Sequence, residues 1–188
     1  MKTKQKTLKL TLSAIFVALS AGLSMVTFFH MPLGGTVTLL SMLPVIMLAL
    51  MLGYKWGLCA AFAYSLTQLA LGIAVSGVLA WGLTYKALIG TIFLDYIIPF
   101  TALGFAGFAC KKSVSAKIFA TAAVIVIRFL CHLLSGAIIF DIWCEWENVW
   151  FYSLCYNGAY MLPELVFTVI GAAILFAIPR IKRIMDSF

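Results

Sequence analysis

Charge is scarce in this chain of 188 residues: only 10% are Asp, Glu, Lys or Arg, and six of those are acidic. Polar tracts, low-complexity segments and clear internal repeats are all missing. A soluble domain of this length needs more polar surface than that. There is no G-x-x-x-x-G-K-[ST], so the chain brings no ATP-binding loop of its own. H-E-x-x-H and G-x-S-x-G are absent too, which leaves catalysis poorly supported and predicts a protein that is not an enzyme. The five cysteines (Cys59, Cys110, Cys131, Cys144 and Cys155) are scattered, odd in number and without a C-x-x-C pair. Neither a metal site nor a disulfide framework is indicated, and they are expected to act as small buried apolar residues. His30 and His132 sit in different settings and make no haem pair, so no cofactor or metal is expected.

What the chain has in abundance is apolar sequence: 64% of its residues are hydrophobic and the mean hydropathy is +1.12. Six apolar runs stand out: Leu8–Phe29, Val37–Leu52, Trp56–Ile73, Leu83–Ala109, Ile118–Phe140 and Val149–Ile178. The pattern predicts an all-α integral membrane protein of six transmembrane helices, with residues 1–188 as a single domain. The second and third runs are short for a span and are expected to stand upright or be partly capped by loops. The basic start, Met1–Lys9, imitates a signal peptide. Leu8–Phe29 is nevertheless long enough to span, and a retained helix is expected.

Eleven of the 13 basic residues fall on alternate connections: Lys2, Lys4, Lys6 and Lys9, then Lys55, then Lys111, Lys112 and Lys117, then Arg180, Lys182 and Arg183. The intervening loops carry no Lys or Arg, and the last of them carries Asp141, Glu145 and Glu147. This asymmetry predicts both termini on the cytoplasmic side of a bacterial plasma membrane. The remaining bases lie within runs. Lys86 is close enough to an outer end to snorkel. Arg128 is about ten residues into the fifth run and needs a partner. Glu164 is the favoured one, leaving Asp95 free, and the reverse pairing is the alternative.

Ionisable groups at membrane depth are costly and read as functional. In Trp150–Glu164, helical spacing puts Asn157, Tyr160 and Glu164 on one face, with Tyr152 and Tyr156 beside them as an i, i+4 pair. Interface belting by the tyrosines and helix-to-helix adhesion by Asn157 are the alternatives. Asp95, His132 and Asn157 come from three runs and fall at similar depth. A carboxylate, aromatic rings and groups that both donate and accept suit a flat, nitrogen-rich cation. Ala14, Ala18 and Gly22, spaced by four in the first run, allow close helix approach, either within the chain or to a partner subunit.

The stretch Met31-Pro32-Leu33-Gly34-Gly35-Thr36-Val37-Thr38, leading to Leu43-Pro44, resembles the substrate-binding S components of energy-coupling factor vitamin transporters. Three further motifs are similar to the thiamine S component: Leu94-Asp95-Tyr96, His132-Leu133-Leu134-Ser135-Gly136 and Tyr152-Ser153-Leu154-Cys155-Tyr156-Asn157-Gly158-Ala159-Tyr160-Met161. The resemblance implies a six-helix S-component fold that binds thiamine near the extracytoplasmic face. It also implies docking to a transmembrane T subunit driven by two cytoplasmic ATPases, with Ala14 and Ala18 matching the family's docking motif. The family's ligand positions correspond to Asp95, Tyr96, His132, Tyr152 and Asn157. Some members have Glu where Asp95 stands, and tryptophans near Thr36, Gln68 and Phe140. Stacking is therefore expected from Phe140, with Gln68, Trp143, Trp146 and Trp150 as further candidates. The loops Ala74–Gly82 and His30–Thr36 are candidate lids. Other readings are an S component for another vitamin or for hydroxymethylpyrimidine, a membrane redox or enzyme subunit built on His132 and the carboxylates, and a scaffold subunit that binds no solute.

Overall fold

The computed structural model describes residues 2–31 and 34–188; Pro32 and Leu33 of the motif above lie outside the described residues. The elements run α1 (Lys2–Ser24), β1 (Thr27–His30), β2 (Thr36–Thr38), α2 (Leu43–Leu52), α3 (Tyr54–Ala74), α4 (Tyr85–Ala109), α5 (Val114–Ile138), α6 (Val149–Ala177) and α7 (Pro179–Asp186). Five of these, α1, α3, α4, α5 and α6, are long and apolar enough to cross a membrane. Three of the spans open on side-chain caps: Thr84, Ser113 and Asn148 accept from the backbone N–H of Ala87, Ala116 and Phe151.

The first two runs are not the plain spans expected. The helix of the first run stops at Ser24, and its β-branched and aromatic tail Thr27–His30 pairs antiparallel with Thr36–Thr38. The second run therefore spends its start in a strand, and its helix α2 has only ten residues. At about 1.5 Å per residue it covers about 15 Å, half of a hydrocarbon core of about 30 Å. Every residue of α2 is buried, which no lipid-facing span can be. Ser20 of α1 accepts from the Val45 N–H at the start of α2, and the Cys110 thiol donates to the Met51 carbonyl near its end. These contacts satisfy backbone groups that a helix end leaves open.

Glycine sets how closely α3 and α4 approach. A Cβ on Gly104 would lie 2.6 Å from Leu58 backbone, and one on Gly107 would lie 2.5 Å from Tyr54 backbone. The cysteine expectation holds only for Cys131, which is buried; Cys59 and Cys155 are exposed on the outer faces of α3 and α6. Lys86 is exposed at the start of α4 with its ammonium 5.9 Å from the Tyr85 ring centroid, as snorkelling requires. Ala14, Ala18 and Gly22 all lie exposed on α1, so they do not pack within the chain. The side of α1 that packs inward is formed by Leu12, Ser13, Phe16, Val17 and Ser20.

Lys9, the α2–α3 junction, the α4–α5 turn and Phe188 meet around one depression, which places most of the basic connections at one end of the bundle. The β-hairpin and the loops after α3 and α5 border the cavity at the other. Gly104→Leu should force α3 and α4 apart and destabilise the protein by about 1–3 kcal/mol or more. Gly22→Leu, with nothing within 4 Å of its Cβ, should leave it unchanged. Thermal unfolding of the two variants in detergent checks the contrast.

Candidate functional site

A cavity of about 720 Å³ opens between the hairpin and helices α3 to α6. Its size suits a small molecule. Asp95, Tyr96, His132, Phe140, Tyr152, Asn157 and Gln68, all expected at a site, reach its wall.

Asp95 and Tyr96 sit in a π-helical turn, Ile92–Ile97, in which the Ile98 N–H reaches back five residues to the Phe93 carbonyl. The cause is local. Pro99 has no N–H to give the Asp95 carbonyl four residues earlier, and its ring crowds that carbonyl. The widened turn carries two consecutive polar residues to the cavity, where such turns often mark function. Gly72 on α3 makes room for Tyr96: a Cβ there would overlap the phenol ring.

Asp95 is not free, and Arg128 pairs with neither expected carboxylate among the described residues. Instead Arg128 Nε donates to His132 Nε2 (3.2 Å), His132 Nδ1 lies 3.0 Å from Asp95 Oδ1, and Ser135 Oγ donates to Asp95 Oδ2 (2.5 Å). Arginine only donates, so His132 Nε2 accepts and the imidazole proton sits on Nδ1, facing the carboxylate. The guanidinium also lies 4.2 Å from the Phe100 ring centroid, a cation–π contact. Helical spacing placed Arg128 and His132 on one face; it did not reveal that the histidine would stand between the two charges.

Asn157 is also more engaged than a ligand contact alone requires. Its amide donates to the His132 carbonyl (3.2 Å), the Ser153 carbonyl (3.0 Å) and Ser153 Oγ (3.1 Å), while its Oδ1 accepts from the Tyr160 hydroxyl (2.8 Å). It braces α5 against α6.

Rings form the remaining wall. Tyr152 stacks on Tyr156 and Tyr156 meets Tyr160 edge-on, with centroids 6.0 and 6.2 Å apart. Trp143, Trp146 and Trp150 do not join them. Trp143 stacks on Phe140 without lining the cavity, Trp146 packs edge-on against Tyr152 and is 48% exposed, and Trp150 is 53% exposed. Trp150 precedes Tyr152 by two residues, which turns it to another helix face. The tryptophan that lines the cavity is Trp81, overlooked in the sequence. It sits between Gly77 and Gly82, both at positive φ, anchors its indole N–H on the Ser76 carbonyl and meets Phe140 edge-on at 5.9 Å. A tryptophan bracketed by turn glycines in an outer loop was the available signal.

The hairpin closes one side. The Gly35 N–H donates to the Tyr156 hydroxyl (3.3 Å), and a Cβ on Gly35 would lie 2.8 Å from the Tyr160 ring. Glu164 Oε1 accepts from both Thr38 N–H (2.5 Å) and Thr38 Oγ1 (2.6 Å). Both expected lid loops contribute lining residues, Gly34 to Thr36 from one and Val75, Ser76 and Trp81 from the other. Among the described residues no group of three or more His, Cys, Asp or Glu side chains is placed to hold a metal ion.

Residues 10–183 match the family model described as thiamine transporter protein (Thia_YuaJ). The chain belongs to this family. It is 28% identical over 190 residues to the thiamine transporter ThiT of Bacillus subtilis strain 168, an alignment covering 93% of this chain and 90% of that protein. A solved structure of ThiT from Listeria monocytogenes superposes with a TM-score of 0.70 at 20% identity, covering 94% of this chain and 98% of that one, and establishes the shared fold. As a Thia_YuaJ protein the chain is a multi-pass cell-membrane transport component of the ThiT type, and not an enzyme.

In this family member Gly136 decides how closely the two site helices meet, since a Cβ there would lie 2.3 Å from Ser153 Oγ. Gly136→Ala should lower the unfolding temperature by several degrees. Adding Ser153→Ala should recover part of the loss, and a double-mutant cycle should return a coupling on the order of 1 kcal/mol. Strict additivity would contradict the contact.

Proposed function

We propose that the chain is the substrate-binding S component of an energy-coupling factor transporter. It takes thiamine from the extracytoplasmic side and hands it inward in company with a T subunit and two ATPases. The observation that carries the reading is the cavity itself: a half-buried carboxylate, held in place by His132 and Ser135, faces a wall of rings. Thiamine is flat, aromatic and permanently cationic. Asp95 supplies the counter-charge, and Tyr152, Tyr156, Phe140 and Trp81 supply ring faces and edges for stacking and cation–π contact. Tyr96, His132 and Asn157 complete the polar wall, with Gln68 opposite on α3.

The six crossings follow if α2 and the hairpin together count as one, the hairpin filling the outer half of the bilayer and α2 the inner half. The basic end then lies in the cytoplasm with both termini. The exposed Ala14, Ala18 and Gly22 edge of α1 is the docking face for the T subunit, where small side chains let a second helix come close. The missing ATP-binding motif accords with energy supplied by partners.

Native mass spectrometry of gently purified protein should show a retained ligand of thiamine's mass. Asp95→Ala and Asn157→Ala should each weaken thiamine binding at least tenfold by titration calorimetry, a cost of about 1.4 kcal/mol or more and within the range of about 1–3 kcal/mol for loss of a buried polar partner. Unchanged affinity in both would rule out this pocket. Ala14→Trp with Ala18→Trp should leave thiamine binding intact and abolish co-purification with the T subunit; retained co-purification would move the docking face elsewhere.

A further inference from the structure

We propose that the depression at the basic end of the bundle binds the headgroup of an anionic phospholipid, whose acyl chains lie along a column of rings on the outside of α4. The inference concerns the end of the molecule away from the large cavity and stands apart from the thiamine reading. The depression encloses about 430 Å³. Three lysines border it, Lys9 from α1 and Lys111 and Lys112 from the turn between α4 and α5. No Asp or Glu lines it, and among the described residues none of the three lysines has a salt bridge. Like charges gathered without a counter-charge repel one another, and a phosphate among them removes that cost. α3 begins at the same place without a side-chain cap, which adds the positive end of its dipole.

Rings distinguish this place from a plain basic surface. Tyr54 and Phe108 line the depression, with their centroids 4.7 Å apart and their planes within 18°. Phe108 in turn stacks on Phe105 at 6.0 Å, with the planes within 5°. All three rings are exposed. The cause of the column is local. Gly104-Phe105-Ala106-Gly107-Phe108-Ala109 repeats every three residues, and Leu103–Ala109 is wound as a 3₁₀ helix. In that helix side chains at i and i+3 eclipse. The glycines are thereby turned to the α3 backbone and the phenylalanines away from it.

At about 2 Å per residue, Phe105 lies about 6 Å from Phe108 along α4, further from the lysines and deeper in the apolar span. Charge and apolar surface therefore follow one another in the order of a lipid, phosphate first and chains after. A soluble phosphate would use the lysines and leave the column without a purpose. Basic pockets beside spanning helices hold acidic headgroups in this way.

The test uses the full chain purified in detergent, titrated with phosphatidylglycerol or with phosphatidylcholine of the same acyl chains. Native mass spectrometry counts the lipids retained. Wild-type protein should hold one phosphatidylglycerol at least tenfold more tightly than phosphatidylcholine. Lys9→Gln, Lys111→Gln and Lys112→Gln combined should abolish that preference. Lys111→Gln with Lys112→Gln, both exposed in a turn, carries the test if the triple variant does not fold. Lys4→Gln, Lys6→Gln and Lys182→Gln combined remove the same charge from exposed positions outside the depression, and should keep the preference. Phe105→Ala with Phe108→Ala should weaken phosphatidylglycerol at least threefold. Equal losses in the two lysine triples would overturn the inference, since net charge alone would then attract the lipid. Glycerol phosphate that displaces the lipid at equal concentration would overturn it in favour of a soluble anion. Lipid retention unchanged in the depression variants, with a partner subunit lost from co-purification, would overturn it in favour of protein docking.

Discussion

Inside a bilayer the hydrophobic effect does not press helices together, because lipid is as apolar as the helix it would replace. Polar cross-links therefore carry much of the specificity of this bundle. Asp95, His132, Ser135 and Arg128 join α4 to α5; Asn157 and Ser153 join α5 to α6; Glu164 and Thr38 join α6 to the hairpin. Each link ends at the cavity, so the groups that define the fold on this side also define the site. A half-satisfied polar network is costly in a low-dielectric interior.

The wall separates groups that the protein satisfies from groups that it leaves open. The hydrogen-bonding capacity of His132 and Asn157 is largely taken up by neighbouring residues, which makes them stiff. Among the described residues Glu164 Oε2 has no hydrogen-bond partner, although Glu164 itself is held firmly through its other oxygen. Stiffness matters because a binding group that is already in place loses little entropy when the ligand arrives. The rings follow the same logic, with Trp81 and Phe140 meeting each other at the outer loops and Tyr152, Tyr156 and Tyr160 rising along one face of α6.

Much of the cavity wall was legible in the chain. An aspartate, a histidine and an asparagine in apolar runs are conspicuous, and so is a row of tyrosines at helical spacing. Trp143, Trp146 and Trp150 misled because aromatic residues near a site are attractive candidates, and sequence distance does not tell which helix face they occupy. Arg128 misled for a related reason. Simple charge pairing sends it to a carboxylate, whereas the imidazole beside it accepts its hydrogen bond and relays the contact to Asp95.

By itself the sequence determined the membrane class, the long apolar spans, the basic end of the bundle and the set of polar residues within the spans, because hydropathy and charge act residue by residue. Only the tertiary structure decided that Thr27–His30 pairs with Thr36–Thr38, that α2 is a ten-residue buried helix, and which polar atom faces which. Those outcomes depend on competition among partners far apart in the chain. A backbone N–H at Thr38 and a carboxylate at Glu164 are 126 residues apart, and nothing local to either says they will meet.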